Sequence, residues 1–213
     1  MRPLLVFALL LALRPLPAAS QNQKDMRTRD EKRQGLVRES LAGQNVPIMP
    51  FTMLVRDATV TDSVLMLARP AVAAWADSIL AEALVERAPE ISWVYGTELV
   101  RVARRGAGMI PEPGKMGQAI LRSDKMKTVP DPTRSNFRML AALAGARFIF
   151  VPASLRFGHD STGALLATLT AALTDTRSGA VLWHVTATGR GETVGEALHK
   201  TVDYFLPEQS TTP

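Results

Sequence analysis

Between residues 71 and 87 the apolar side chains Val72, Trp75, Ala76, Ile79, Leu80, Ala83 and Leu84 recur at intervals of three and four, while Asp77, Glu82, Glu86 and Arg87 take the other face. That spacing predicts an amphipathic helix, which Pro70 suits at its start and Pro89 prevents from continuing. Ahead of it, residues 46–55 are mostly apolar but punctuated by Pro47 and Pro50, a pattern that fits an opening or edge strand better than a central one. Behind it, the β-branched and aromatic run 91–95 predicts a strand. Residues 97–105 then offer a second helix with Leu99, Val100 and Val102 apolar and Arg101, Arg104 and Arg105 outward.

Periodicity fails between residues 106 and 134, where Gly106, Gly108, Gly114 and Gly117 alternate with Pro111, Pro113, Pro130 and Pro132. Only a short helix near residues 116–121 fits there, and a loop this long in a compact domain is usually functional or disordered. Beyond it, Ser135 can cap a helix carrying Phe137, Leu140, Leu143 and Ala144 on one face, with Gly145 as its stop. Residues 147–151 form a buried strand. Leu165, Ala167, Leu169, Ala171 and Leu173 then alternate with Thr168, Thr170, Ala172 and Thr174, which predicts a strand with one core face and one wet face. Asp175, Ser178 and Gly179 make the turn into a strand over 180–188, and a helix over 193–205 closes the chain before Pro207. The fold class expected is α/β (α+β): a single mixed sheet of about five strands with a carboxy-terminal antiparallel meander, covered by helices.

The 213 residues suit one such domain with length to spare, and 46% hydrophobic against 21% charged residues is a globular balance. Some of the spare length is accounted for by residues 1–20, where Arg2 precedes an apolar run from Leu4 to Leu13, followed by Arg14, two prolines and the small residues Ala18, Ala19 and Ser20. This is the order of a secretory signal peptide cut after Ser20, and the run is about half the length of roughly 20 residues that a membrane span needs. Retention of the leader as an anchor is the alternative. Residues 21–45 read as a flexible charged tether, 46–206 as the domain with its long loop at 106–134, and 207–213 as a polar tail.

Charge and cysteine content narrow the partners. The formal net charge is +5, falling to +3 when Arg2 and Arg14 leave with the signal peptide. Much of the excess lies in the tether, whose mixed signs and lack of aromatic residues do not suit nucleic acid. Cysteine is absent, so disulfides, thiolate metal sites, catalytic thiols and a lipid-bearing cysteine are excluded.

The carboxy-terminal half carries a resemblance. The run LAALAGARFIFVPASLRF, the run ALLATLTAALTDTRSGAVLWHVTATGRG and the closing helix resemble a family of envelope domains. These include the amino-terminal domain of TolB, the curli-secretion lipoprotein CsgG and the penicillin-binding-protein activator lipoproteins. Their hairpin motif D-x-R-T-G-x-x-L-W is matched by Asp175, Arg177, Gly179, Leu182 and Trp183, and the opening strand and first helix are similar in order. The motif is mainly structural, since Asp175 and Gly179 make a turn and Trp183 fills a core. This chain departs from the lipoprotein members in lacking the lipid-attachment cysteine, and from TolB in lacking a β-propeller.

Candidate chemistry is sparse. Residues 108–115 approach a phosphate-binding loop, but five residues rather than four separate Gly108 from Gly114, and Met116 stands where a magnesium-binding hydroxyl belongs. His159, Asp160 and Ser161 contain the residue types of a hydrolytic triad, yet triad members converge from separate elements, and residues 158–163 read more simply as a turn. His159, His184 and His199 lack the spacing of a helical metal motif. Neither a cofactor nor a metal is expected. What stands out is the apolar content of the long loop, with Met109, Ile110, Met116 and Met126. These side chains form an adaptable binding face or fold back over the core. The expected function is that of a non-catalytic periplasmic or cell-envelope accessory protein that binds another protein or assembly through Met109, Ile110, Lys115 and Met116. The alternative is an extracytoplasmic hydrolase with a site near His159 and the loop; a pocket uniting His159 and Asp160 with Glu112 or Asp124 would favour it.

Overall fold

The computed structural model describes residues 36, 38–106 and 108–207, all within one compact unit, Gln34–Pro213. The expected signal peptide, the tether as far as residue 35 and tail residues 208–213 lie outside the described residues. Among the described residues, no helix is long and apolar enough to cross a membrane.

The elements run β1 (Asn45–Pro47), β2 (Leu54–Arg56), α1 (Arg69–Arg87), β3 (Ser92–Val94), α2 (Gly96–Arg104), α3 (Thr133–Ala144), β4 (Phe148–His159), β5 (Leu165–Asp175), β6 (Val181–Gly191) and α4 (Val194–Phe205). The architecture is α+β with mixed strands, as the periodicities predict. Its sheet is divided into a two-stranded parallel ladder, β1-β3, and a four-stranded one in the order β2-β4-β5-β6, with β2 parallel to β4 and the rest antiparallel. A lone parallel bridge between Ile48 and Phe150 joins the two. The division falls at Pro50, because a proline has no N–H to give the ladder, and the opening strand resumes only at Leu54.

β4 is longer than expected. The run 147–151 continues through Pro152 to His159, with a shift of register between Pro152 and Ser154 that leaves Ala153 as a bulge just after the proline. Leu155 and Phe157 beyond it are buried, so the strand serves both faces along its length.

One face of the sheet carries α1 and α4, with Leu80, Leu84, Leu198 and Val202 packed on Phe150, Leu155, Phe157, Leu169 and Val185. Phe150, Trp183 and Phe205 form its aromatic centre at ring separations of 5.2–6.2 Å. The other face carries α2, α3 and much of the long loop, with Leu99, Val102, Phe137 and Leu140 on Ile149, Val151 and Ala172. That second layer corrects the expectation of a wet threonine face. Thr170, Ala172 and Thr174 are buried. A short turn of 3-10 helix, Gln118–Arg122, packs near β4 and β5, and His184 Nε2 lies 2.9 Å from the Leu121 carbonyl. Of the four β5 positions only Thr168 is less than buried, and it meets the exposed Thr188 across the strands at 3.1 Å.

The hairpin turn is built as its residues suggest. Asp175 accepts the Arg177 and Ser178 amides through Oδ1, receives the Arg147 guanidinium at 2.7 Å through Oδ2, and Gly179 closes the turn at φ 77°. Helix α3 differs from its expected start. It begins at Thr133 after Pro132, and the Ser135 hydroxyl bonds the Asp131 carboxylate instead of capping.

The described part of the expected tether is folded. Leu36 and Leu41 are buried in the first core, the Leu36 amide donates to the Phe205 carbonyl at 3.0 Å, and Arg38 grips Glu90 at 2.9 Å. Two leucines within a charged run were the signal for this.

Candidate functional site

Where β1 breaks at Pro50, the chain leaves a groove of about 770 Å³. Ile48, Met49 and Pro50 form its floor, Ala74, Asp77 and Ser78 of α1 one wall, and Tyr95 to Arg104 along α2 the other. Glu112, Pro113 and Gly114 of the long loop close one side. The size lies within the range of ordinary ligand pockets.

Two side chains hold this shape. Asp77 projects from α1 towards the break, and its Oδ1 accepts the Phe51 amide at 2.8 Å, a donor left without a strand partner by the proline before it. Burial pushes the Asp77 carboxyl up to about 7, and the Phe51 hydrogen bond pulls the other way with smaller effect. Gln118 is fully buried, and its Nε2 donates to the Pro50 carbonyl at 3.1 Å and to the Pro113 carbonyl at 3.0 Å. This one amide therefore ties the floor to the loop wall.

The rim is charged. Arg101 lies 3.4 Å from Glu98, and Arg104 makes no hydrogen bond or ion pair among the described residues. Glu112 is held by Lys115 at 2.9 Å, and that ammonium keeps its carboxyl below the usual range.

The four residues expected to form a binding face are divided by the fold. Met109 is 74% exposed, and Lys115 is exposed in its pair with Glu112. Ile110 and Met116, by contrast, are buried in the second core together with Leu121 and Val129. Most of the loop's apolar side chains therefore fold back over the sheet, because the second face needs covering and α2 and α3 leave part of it open.

The triad residue types do not come together. His159 Nδ1 lies 3.3 Å from the Thr59 hydroxyl. The Asp160 carboxylate holds its own turn through the Thr162 and Ala164 amides and the Thr162 hydroxyl, bonds that keep it below the usual range. Neither residue lines the groove where Glu112 sits. His184 faces Leu121, and His199 pairs with Glu86 at 2.9 Å. Among the described residues, no three potential ligands gather to hold a metal ion.

Asp77 and Gln118 were not legible as site residues. Asp77 reads as one polar position on an amphipathic helix, and the only sequence signal was Pro50 freeing an amide opposite. For Gln118 there was none.

No protein-family model and no curated protein matches the chain. Solved structures similar to it include the LpoB C-terminal domain from Salmonella enterica, at 12% identity and TM-score 0.41 over 79% of this chain and 95% of that one. A PelC dodecamer from Paraburkholderia phytofirmans is similar at 16% identity and TM-score 0.39, over 83% and 93%. Lipoprotein GNA1162 from Neisseria meningitidis follows at 14% and 0.33, over 70% and 81%. LpoB is one of the penicillin-binding-protein activator lipoproteins; none of these three is a TolB or CsgG domain.

Proposed function

We propose that this chain is an exported, non-catalytic accessory protein of the cell envelope that binds another protein in the groove between α1, α2 and the Glu112–Gly114 turn. The observation that carries this reading is the groove itself: an apolar floor, a polar rim and a wall tied in place by Gln118. The long loop takes part through its turn and not through Ile110 and Met116. Export rests on the leader pattern of residues 1–20.

Filling the groove tests the proposal. Ala74→Trp and Val100→Glu, both at exposed lining positions, are expected to abolish recovery of the partner by the tagged full chain, whereas Leu182→Glu, on exposed β6, leaves recovery unchanged. Recovery indifferent to both groove substitutions would overturn it.

The extracytoplasmic hydrolase keeps one supporting observation, moved from His159 to the groove: a carboxyl that titrates near neutrality is a candidate general acid or base. Hydrolysis of any ester, amide or glycoside panel substrate that Asp77→Asn abolishes would establish that reading instead.

A further inference from the structure

The charges around the groove are unequally spent. Its two acids are both occupied: Asp77 accepts the Phe51 amide and, close to neutral pH, carries less than a full charge, while Glu112 is paired with Lys115 at 2.9 Å. Its two cations are not. Arg101 and Arg104 stand one turn apart on α2, a spacing that places both on one face, and both residues line the groove. Arg104 makes no hydrogen bond or ion pair among the described residues, only a longer-range attraction to Glu112, and Arg101 meets Glu98 at 3.4 Å across an exposed pair that contributes little. Beneath them the floor is apolar, with Ile48, Met49 and Leu99 each at most 5% exposed. A complementary occupant is therefore anionic where it meets α2 and apolar where it enters the groove. A guanidinium pair at this spacing suits carboxylates, which it can hold in two-pronged fashion.

We propose that the groove takes an extended acidic segment of the partner protein, with carboxylates on Arg101 and Arg104 and an apolar side chain on the Ile48, Met49 and Leu99 floor. The inference rests on the protein-binding reading above and adds the chemistry of the bound segment. It also gives the exposed arginines of α2 a role that the fold does not demand, since neither contributes to a core.

The test uses the full chain carrying the photoreactive residue benzoylphenylalanine in place of Tyr95, an exposed aromatic that already lines the groove, expressed in the cells that make the protein, with the cross-linked partner peptide sequenced by mass spectrometry. The expected adduct is a peptide rich in Asp and Glu with at least one large apolar residue. Its yield should fall about tenfold or more in the R101E/R104E variant, and Lys at the partner's acidic positions should restore it. Circular dichroism of R101E/R104E guards against misfolding, which its two exposed positions make no reason to expect. An adduct with a neutral or basic segment, or one indifferent to the charge reversal, overturns the acidic-segment inference and leaves protein binding intact. Absence of any protein adduct at position 95, with the labelled chain folded, overturns both.

Discussion

Asp77 shows how one side chain can serve shape and titrate at once. Its folded pKa of about 7 lies above the ordinary aspartate value of 3.8, so the folded state holds its proton more tightly than the unfolded chain does. Any stability linked to that proton is fully present below pH 3.8 and is lost as the pH rises through 7. Asp77→Asn keeps an oxygen for the Phe51 amide and removes the charge. The variant should match the natural chain near pH 4 and exceed it by about 2 to 4 kcal/mol at pH 9, read from urea unfolding at the two pH values. A difference that does not change with pH would mean that the carboxyl does not titrate in this range. Gln118 acts at the same scale without titrating. Gln118→Ala removes two bonds and leaves the Pro50 and Pro113 carbonyls unserved, at a cost of about 1 to 3 kcal/mol. Amide exchange should quicken across residues 112–117 before it does in α1; uniform quickening would show that the residue supports the core and not the wall.

Close approach of α4 to β6 governs the first core. At Gly189 an added Cβ would overlap the Ala197 carbonyl and lie 2.7 Å from the Thr201 amide nitrogen, so the helix must move. Gly195, on the same helix, has its nearest neighbour at 3.6 Å and an ordinary helical backbone. Gly189→Ala should therefore cost about 3 kcal/mol, whereas Gly195→Ala should be neutral or gain up to about 1 kcal/mol. Thermal melts of the pair check this, and equal effects would refute the contact. The same helix shows what sequence could and could not tell. Its apolar stripe, its cap at Thr193 and its stop were legible, because an amphipathic period survives whatever lies opposite. The Asp175 to Gly179 turn was legible for a local reason too, since its hydrogen bonds close within four residues. What sequence hid was pairing at long range. Pro152 masked the second half of β4, Pro50 divided a strand that reads as one, and the alternation of β5 could not say that the Gln118–Arg122 turn covers its threonines. The groove shares that fate, because its walls come from four segments spread between Ile48 and Gly114 that only the folded chain brings together.

For the domain as a whole, β4 is the shared member: Phe150, Leu155 and Phe157 enter one core, and Ile149, Val151 and Ala153 enter the other. Neither layer can be lost without exposing a face of this strand, so unfolding should be a single transition. The amino-terminal boundary of that cooperative unit lies earlier than residue 46. Leu41 is fully buried and Leu36 is 6% exposed, both in the first core, and the Leu36 amide bonds the end of α4. Removing a buried leucine side chain costs about 2 to 5 kcal/mol, against a total stability of about 5 to 15 kcal/mol for a domain. A chain beginning at Gln34 should therefore melt well above one beginning at Val46, and Leu41→Ala alone should lower the midpoint by roughly 6 to 12 °C. Circular dichroism melts of the three proteins decide the point. Equal midpoints for the chains beginning at Gln34 and Val46 would mean that the two leucines cover the core without stabilising it, and would return residues 36–45 to the tether.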